Sequence, residues 1–334
     1  MNSLSIFDNK NIVIFGAAGF IGSNIIRYIK KKSNAAIYAY DLKNNESEDI
    51  FFCDVRKSIN HIKFPSNIDL IINLAAVHRE PGHASNEYYE TNILGAENIC
   101  KFANHVDCNN IIFTSSISPY GISDEVKNET CMTYPETPYG NSKLIAEKIH
   151  LCWANQDINK KSLIIIRPGV VFGKGENGNM SRLVRAIKGN YFLYTGNKSV
   201  PKAGIYIDEL LRQISFVYEY QKNNPIEKQI LFNSSIWPNP TIHDYVKSIC
   251  RTLNKDRSFI SIPYPLLMLA AYTLEGFSKI FRFPNFASPV RVRKLIKTNH
   301  IEPKRLIDLN YKPNLNLQDS MNHWQSLDKE LWTK

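Results

Sequence analysis

Short apolar runs alternate with longer amphipathic segments through the first half of the chain. The apolar runs lie at 12–15, 37–40, 69–73, 110–114 and 163–166. Continuous apolar runs of this length are typical of strands that are buried on both faces of a parallel sheet. Segments with helical character separate them, at 20–32, 88–105 and 139–155. This alternation predicts right-handed βαβ units and an α/β fold built on a doubly wound parallel sheet.

The texture of the chain changes after residue 173. A polar, glycine-rich segment occupies 174–179, prolines then recur at short intervals, and one further helical segment lies at 205–219. Frequent prolines interrupt regular elements, so we expect a smaller and irregular C-terminal lobe that binds substrate. The predicted division is a large domain of residues 1–174, to which 203–236 return, and a lobe formed by 175–202 and 237–334.

Composition narrows the class of protein. Of the 334 residues, 43% are hydrophobic and 22% are charged, which indicates a globular chain. The six cysteines form no CxxC pair and no metal-like spacing, so we expect reduced thiols, no metal and a cytoplasmic location. No signal peptide is apparent. The net charge of +10 favours anionic partners or is ordinary surface charge. Its dispersion along the chain argues against nucleic acid.

A glycine-rich turn follows the first predicted strand. Gly16, Gly19 and Gly22 lie in the segment IFGAAGFIG at 14–22 and open the next helix. Small residues let the backbone approach a pyrophosphate, and the helix N-terminus adds free N–H groups. Asp41 ends the next strand, where a carboxylate can accept hydrogen bonds from a ribose and repel a 2′-phosphate. The pattern predicts a Rossmann-type domain that binds NAD rather than NADP.

Tyr139 and Lys143 are four residues apart on a predicted helix, so one face carries both side chains. A phenol has a reference pKa near ~10 and is a poor base at neutral pH. A neighbouring ammonium and a positive nicotinamide ring would favour the phenolate, which suits general acid–base catalysis. Ser116, just beyond the fifth strand, is the expected third catalytic residue, and Ser115 is the alternative serine.

Together these motifs resemble the short-chain dehydrogenase/reductase superfamily, in its extended branch. The GxxGxxG spacing, the YGNSK segment at 139–143 and the serine four residues before Tyr120 carry the resemblance. Extended members usually act on nucleotide- or diphosphate-linked sugars, and a homodimer is expected. The segments at 74–80 and 263–269 resemble 4-epimerases of O-antigen and capsule biosynthesis, whose N-acetylhexosamine substrates are linked to UDP or to a polyprenyl diphosphate.

The resemblance also assigns residues to the cofactor. Asp54 and Val55 resemble an adenine-contacting pair, NLAA at 73–76 resembles a turn beside the cofactor, and Asn92 resembles a structural asparagine. The segment at 167–173 resembles one that lines the nicotinamide and the substrate. The expected cofactor-binding residues are Gly16, Gly19, Phe20, Ile21, Gly22, Asp41, Asp54, Val55, Leu74, Ala75, Ala76, Asn92, Thr114, Tyr139, Lys143, Pro168 and Val170.

A second set of residues is expected to bind the substrate. Lys202 stands where an arginine of the family often meets a substrate phosphate, which keeps the charge but loses bidentate geometry. The His-Arg-Glu segment at 78–80 either flanks the substrate diphosphate or the cofactor, or is a solvated loop of mixed charge. Glu80 can orient the guanidinium of Arg79. The expected substrate-binding residues are His78, Arg79, Ser116, Tyr139, Gly169, Asn179 and Lys202.

The residues that follow the serine bear on the reaction. Dehydratases of this branch usually carry an Asp-Glu pair there, whereas this chain has Ile117 and Ser118, so dehydration is disfavoured. Epimerisation at C4 and reduction of a 4-keto sugar stay open, because the same three side chains serve both, and Asp41 slightly favours the epimerase. A non-catalytic dinucleotide-sensing regulator is a third interpretation, which the retained catalytic residues disfavour.

An apolar stretch at 264–283 raises the question of a membrane. Glu275, Lys279 and the early prolines make it too broken to span a bilayer. An apolar helix with nearby cations can lie on the inner face of the cytoplasmic membrane. The alternative is a helix packed in the C-terminal lobe or at a dimer contact. The nearby basic residues are Arg282, Arg291, Arg293, Lys294 and Lys297.

Overall fold

A computed structural model describes residues 5–45, 49–59, 62–80, 82–281 and 298–333. The described strands are β1 (Asn11–Phe15), β2 (Ala36–Asp41), β3 (Ile50–Phe52), β4 (Leu70–Asn73), β5 (Asn110–Thr114), β6 (Ser123–Lys127), β7 (Ser162–Pro168), β8 (Val170–Phe172), β9 (Tyr194–Thr195), β10 (Gly204–Tyr206), β11 (Gln229–Ser234), β12 (Ser261–Ile262) and β13 (Asn299–Ile301). Seven of them form one parallel sheet in the order β11-β7-β5-β4-β1-β2-β3, and the other six form three two-stranded parallel sheets.

Helices cover both faces of the sheet. The described helices are α1 (Phe20–Lys32), α2 (Ser85–His105), α3 (Pro138–Asn155), α4 (Asn179–Lys188), α5 (Ile207–Asn223), α6 (Ile242–Thr252), α7 (Tyr264–Phe281), α8 (Lys304–Asp308), α9 (Leu317–Leu327) and α10 (Lys329–Trp332), with a short 3₁₀ helix at Ser118–Tyr120. None of these described helices is long and apolar enough to cross a bilayer.

The central strand β1 explains why the sheet is covered on both sides. Ile12 and Ile14 point into one apolar cluster, which contains residues of α1 and α5. Val13 and Phe15 point into the other, which contains residues of α2 and α3. Successive side chains of a strand point to opposite faces, so a continuous apolar run requires two apolar partners. The predicted Rossmann-type, doubly wound α/β fold is confirmed.

Two predicted helix boundaries differ from the structure. Helix α2 begins at Ser85, three residues before the predicted start, because the Glu87 carboxylate accepts a hydrogen bond from the Ala84 N–H at 3.0 Å. This contact satisfies a backbone donor that the helix leaves free. The predicted helix at 205–219 is divided. Ile205 and Tyr206 pair with β8 as part of β10, and α5 starts directly afterwards.

The second half of the chain returns to the main sheet and also forms smaller units. Strand β11 pairs with β7 at the sheet edge. The pairs β10–β8, β12–β9 and β13–β6 form the three small sheets. The division into a large domain and a lobe at residues 174, 203 and 236 stays a prediction.

The described residues contain no disulfide bond and no cluster suited to a metal ion. All six cysteines are free thiols. Burial raises the pKa of Cys100 and Cys108 to about 12, so these two thiols resist ionisation. Across the described ranges, no group of three or more His, Cys, Asp or Glu side chains is arranged to hold a metal ion.

Candidate active site

The carboxyl ends of the parallel strands lie at one edge of the sheet. From β1 the chain adds β2 and β3 on one side and then β4 and β5 on the other, so the strand order reverses between β1 and β4. Ligands of doubly wound sheets bind at such a switch point. Gly16, with φ +81°, follows β1, and a Cβ there would lie 2.6 Å from the Ala75 nitrogen after β4. A Cβ on Gly22 would lie 2.3 Å from the Gly16 oxygen. Because any side chain at Gly16 or Gly22 would clash with this backbone, only glycine permits the close packing of the turn.

Asp41 lies beside the glycine turn. One carboxylate oxygen accepts a hydrogen bond from the Ala18 N–H at 3.0 Å. Helix α1 begins at Phe20, and its first backbone N–H groups have no partner within the helix. Phe20 and Ile21 are half-buried against the core below it. The cradle of glycines, the free N–H groups and the adjacent carboxylate fit the pyrophosphate and adenosine ribose of a dinucleotide.

The two residues expected to contact the adenine, Asp54 and Val55, have different surroundings. The Asp54 carboxylate is buried and forms two 2.8 Å contacts with the Arg56 guanidinium, which lowers its pKa. Val55 packs against Gly95 of α2, where an added Cβ would lie 2.9 Å from the valine side chain. Asp54 is therefore fixed by Arg56, and its adenine contact stays a prediction.

Asn92 ties the turn after β4 to the helix that carries Tyr139. Its Oδ1 accepts from the Val77 N–H at 2.9 Å, and its Nδ2 donates to the Ser142 Oγ of α3 at 2.8 Å. The preceding turn, with Leu74, Ala75 and Ala76, is held by a 3.2 Å hydrogen bond from the Ala75 N–H to the side chain of Asn73. Asn92 therefore has a positioning contact rather than a free side chain.

Ser116 and Tyr139 are brought together at the same edge. The Ser116 hydroxyl lies close enough to lower the pKa of Tyr139, while its Oγ donates to the Ser118 Oγ and accepts from the Ser118 N–H, both at 3.1 Å. Ser115 points elsewhere, because its hydroxyl donates to Glu147 at 2.5 Å. Of the two serines, Ser116 is the one that meets the tyrosine.

Lys143 lies one helical turn beyond Tyr139 and is buried. Its Nζ donates to the Thr114 carbonyl at 2.6 Å and lies 4.5 Å from the centre of the Phe113 ring. Burial lowers the pKa of Lys143 to about 7, against the opposing charge of Glu147. The Thr114 Oγ1 is buried and has no hydrogen-bond partner within the described part of the chain. A ligand hydroxyl at this strand end would satisfy it.

The pKa of Tyr139 differs from the expectation drawn from its lysine neighbour. Burial raises it to about 12, the Ser116 hydroxyl lowers it, and the charge of Glu80 raises it further. Burial thus outweighs any help from Lys143, whose ammonium is held on Thr114. The positive nicotinamide ring of a bound cofactor is the remaining group expected to favour the phenolate.

The His-Arg-Glu segment flanks Tyr139. His78 and Arg79 have exposed side chains, and partial desolvation together with the charges of Arg79 and Lys143 lowers the pKa of His78. The Tyr88 hydroxyl donates to the Arg79 carbonyl at 2.6 Å, and the Tyr88 and Tyr139 rings lie 6.1 Å apart. The segment is thus anchored beside α3, and its role at the substrate or the cofactor stays a prediction. Tyr88 is a neighbour of the site to which the sequence assigned no role.

The segment between β7 and β8 passes close to Ser116. The Pro168 carbonyl accepts from the Ile117 N–H at 3.2 Å, directly after Ser116. A Cβ on Gly169 would lie 2.6 Å from the Ala203 oxygen, which also accepts from the Val170 N–H at 3.0 Å. Gly169 therefore permits the close approach of β8 and β10.

Two expected substrate residues lie on neighbouring elements. Lys202 precedes β10, its carbonyl accepts from the Tyr245 hydroxyl at 3.2 Å, and burial lowers the pKa of its ammonium to about 8. Asn179 is exposed at the start of α4, where its Oδ1 accepts from Arg182 at 2.9 Å. These contacts fix both residues without testing their roles.

A buried ion pair behind the catalytic helix is the main feature missed from the sequence. The Arg167 guanidinium donates to both oxygens of Glu147, at 2.9 and 2.6 Å, and stacks 4.7 Å from the centre of the Tyr120 ring. Glu147 is one helical turn beyond Lys143. The sequence does show that Glu147 lies four residues after Lys143, on the same face of the helix. Its pairing with Arg167 follows only from the fold.

The fold and this site define a dinucleotide-dependent enzyme of the extended short-chain dehydrogenase/reductase type. Residues 12–230 match the model of the NAD dependent epimerase/dehydratase family. The chain belongs to that family, and its cofactor is NAD. Both the family resemblance and the expected cofactor are confirmed.

Individual relatives agree with this family. The chain is 29% identical over 305 residues to N-acetyl-alpha-D-glucosaminyl-diphospho-ditrans,octacis-undecaprenol 4-epimerase of Escherichia coli O157:H7, with 89% of each chain covered. It is 30% identical over 152 residues to UDP-glucose 4-epimerase of Halalkalibacterium halodurans, which covers 42% of this chain and 46% of the relative.

Solved structures share the fold at lower identity. UDP-N-acetylglucosamine 4-epimerase from Bacillus cereus superposes with a TM-score of 0.72 at 17% identity, covering 96% of this chain and 99% of the other. UDP-glucuronic acid 4-epimerase from Bacillus cereus, in complex with NAD, gives a TM-score of 0.72 at 19% identity, covering 97% of this chain and 100% of the other.

Proposed function

We propose that this enzyme is a 4-epimerase of a diphosphate-linked N-acetylhexosamine and interconverts the GlcNAc and GalNAc forms in surface polysaccharide biosynthesis, as for an O-antigen or capsule. The observation that carries the proposal is the placement of Ser116 beside Tyr139, with Lys143 one helical turn further along α3, at the strand edge that carries the glycine turn. The Escherichia coli relative, for which 89% of each chain is covered, is a 4-epimerase named for a lipid-linked N-acetylglucosamine.

The chain's own residues supply the proton chemistry in this proposal. Tyr139 takes the proton of the C4 hydroxyl, and Ser116 hydrogen-bonds the same oxygen. Bound NAD supplies the acceptor, and later the donor, of the C4 hydrogen with its electron pair. The resulting 4-keto sugar turns about its diphosphate linkage, and Tyr139 returns the proton to O4 after reduction of the opposite face. The sugar is inverted at C4, and proton and electrons balance over the cycle.

Separate groups would hold the two ligands. The turn with Gly16 and Gly22, the Asp41 carboxylate and the Lys143 ammonium would hold NAD. Arg79 and Lys202 supply positive charge for the substrate diphosphate, and a diphosphate would also favour the protonated form of the half-buried Lys202. Because the substrate must turn between half-reactions, these contacts are expected on the diphosphate rather than on the sugar ring.

The carrier is tested by offering two substrates separately, UDP-N-acetylglucosamine and polyprenyl-diphospho-N-acetylglucosamine. We expect efficient conversion of the lipid-linked sugar, measured by release and identification of N-acetylgalactosamine. The Tyr139→Phe enzyme is the blank for each substrate. Conversion of the UDP-sugar alone would contradict the lipid carrier and leave a nucleotide-sugar 4-epimerase.

The cofactor distinguishes the proposal from a 4-ketoreductase. We expect the purified enzyme to hold NAD tightly and to turn over without added cofactor, because an epimerase regenerates NAD in each cycle. The bound cofactor is measured by releasing the nucleotide with heat and identifying it by chromatography. An empty site that requires added NADPH for reduction of a 4-keto sugar would favour the reductase.

Asp41 provides a second cofactor test. Replacing Asp41 by Ala or Ser should weaken NAD binding and admit NADP, because ribose hydrogen bonds and repulsion of a 2′-phosphate are both lost. Binding titrations with the two nucleotides measure the change. Asp49→Ala is the matched control, since that carboxylate is exposed and pairs only loosely with Lys30 at 3.6 Å. A wild-type preference for NADP would refute the assigned role of Asp41.

A further inference from the structure

His150 is fully buried on helix α3, two turns beyond Lys143, and takes no part in the proposed proton chemistry. A buried imidazole needs partners for both ring nitrogens, because a polar group without a hydrogen bond is costly to remove from water. Both nitrogens have a partner here, since Nδ1 lies 2.7 Å from the Ala146 carbonyl and Nε2 lies 3.2 Å from the Nδ2 of Asn73. The ring therefore connects helix α3 to the end of strand β4.

These partners decide which nitrogen of His150 carries the proton. A carbonyl can only accept, so Nδ1 donates to Ala146. The Oδ1 of Asn73 accepts from the Ala75 N–H at 3.2 Å, so its amide nitrogen faces His150 and donates to Nε2. Burial lowers the pKa of His150 to about 4, which keeps the ring neutral at physiological pH and leaves Nε2 able to accept. A continuous series of hydrogen bonds thus runs from Ala146 to Ala75.

The series of hydrogen bonds ends where the turn after β4 contacts the glycine turn. A Cβ on Gly16 would lie 2.6 Å from the Ala75 nitrogen, so the two turns are in direct backbone contact. Asn73 is the register partner of Phe15, the residue that precedes Gly16. Movement of the Asn73 side chain would therefore disturb the backbone on which the glycine turn packs. His150 reaches the proposed NAD site through Asn73.

Phe113 fixes the plane of the imidazole. The rings of Phe113 and His150 stack with their centres 4.1 Å apart and their planes 13° apart. The Nζ of Lys143 lies 4.5 Å from the centre of the same phenyl ring. Lys143 and His150 are two helical turns apart, about 10 Å along the axis, so the phenyl ring occupies the space between them. Because Phe113 is also the register partner of Asn73, the imidazole is held against the ends of both β4 and β5.

We propose that His150 is a positioning residue of the NAD site, which fixes the turn after β4 through Asn73. The proposal rests on the placement of NAD against the glycine turn. A side chain that served packing alone would be apolar, because burial of an imidazole carries a cost that a hydrocarbon ring avoids. The imidazole instead provides the acceptor that the buried amide of Asn73 needs. Without this acceptor, Asn73 can turn away from Ala75, and the glycine turn loses its support.

The test compares His150→Phe with the wild type as full-length holoenzyme. Phenylalanine keeps a planar ring beside Phe113 and removes the acceptor for Asn73. We expect bound NAD to exchange with isotopically labelled NAD at least ~10-fold faster, the scale for a buried donor that loses its acceptor. Mass spectrometry follows this exchange. Hydrogen–deuterium exchange should also be faster in the peptide that contains Ala75.

A control and a double-mutant cycle separate positioning from packing. His105→Phe makes the same change at an exposed histidine of α2 and should behave as wild type. Asn73→Ala should also speed NAD exchange, and His150→Phe should then add little, because its effect passes through Asn73. Equal acceleration by His150→Phe with and without Asn73 would overturn the proposal, and so would a wild-type rate of NAD exchange in His150→Phe. If circular dichroism shows that His150→Phe does not fold, Asn73→Ala carries the test, and a wild-type rate in that variant overturns the proposal.

The placement of NAD is read separately in Asp41→Ala, which leaves His150 and Asn73 unchanged. Faster NAD exchange in Asp41→Ala, with a wild-type rate in His150→Phe, overturns the positioning role alone. Wild-type rates in both variants overturn the placement of NAD against the glycine turn as well.

Discussion

Replacing Tyr139 by phenylalanine is expected to lower turnover at least ~10²-fold, the usual scale for a general acid–base residue. The ring and its packing against Tyr88 stay, while the group that takes and returns the O4 proton is lost. NAD should remain bound, because the glycine turn and Asp41 are unchanged. Initial rates and the nucleotide content of the purified protein measure the two effects.

A control separates this effect from the general loss of a tyrosine hydroxyl. Tyr134 is exposed and lies shortly before the same helix, and its hydroxyl contacts only the sulfur of Met132 at 3.2 Å among the described hydrogen bonds. Tyr134→Phe should leave turnover unchanged. Near-normal turnover of Tyr139→Phe would refute the acid–base role of Tyr139.

Removal of the buried carboxylate behind the helix should have the largest effect on stability. Glu147→Ala leaves the Arg167 guanidinium buried without its bidentate partner, and Ser115 loses its acceptor. Breaking a buried ion pair in this way typically costs about 3–5 kcal/mol. Urea unfolding, followed by circular dichroism, should therefore show a lower midpoint with a similar slope.

The exposed ion pair between Lys304 and Asp308 provides the comparison. These residues are also four apart on a helix and lie 2.9 Å from each other, but both are solvent-exposed. Exposed pairs contribute little to stability because solvent screens the charges, so Asp308→Asn should change the midpoint little. Equal losses in Glu147→Ala and Asp308→Asn would show that burial does not strengthen the dependence on Glu147.

The sheet could be predicted from sequence because its signal is local. The runs at 110–114 and 163–166 are buried on both faces, so nearly every position is apolar and the pattern survives without knowledge of partners. The glycine turn could also be predicted, because the close backbone contacts at Gly16 and Gly22 leave no room for a side chain. Helix α3 was placed within one residue of its start, where Thr137 caps the first turn.

The remainder depended on contacts between distant parts of the chain. The segment at 205–219 has helical spacing throughout, and only pairing with β8 assigns Ile205 and Tyr206 to a strand. The pattern of residues could not reveal that burial raises the pKa of Tyr139 or that Lys143 is hydrogen-bonded to the Thr114 carbonyl, because spacing along a helix does not report burial or distant partners. The basic residues at 282–297 lie outside the described structure, so their predicted membrane contact is argued from charge alone.

The order of strands in the sheet has a consequence for synthesis on the ribosome. Strand β1 is made first and acquires both of its neighbours once Asn73 has been translated, but β11 closes the outer edge only at Ser234. At typical bacterial elongation rates, those later residues take on the order of 10 s to appear. During that interval the NAD half can assemble around β1, while the apolar edge of the nascent sheet stays open. We expect this edge to make the growing chain a client for chaperones that shield incomplete sheets.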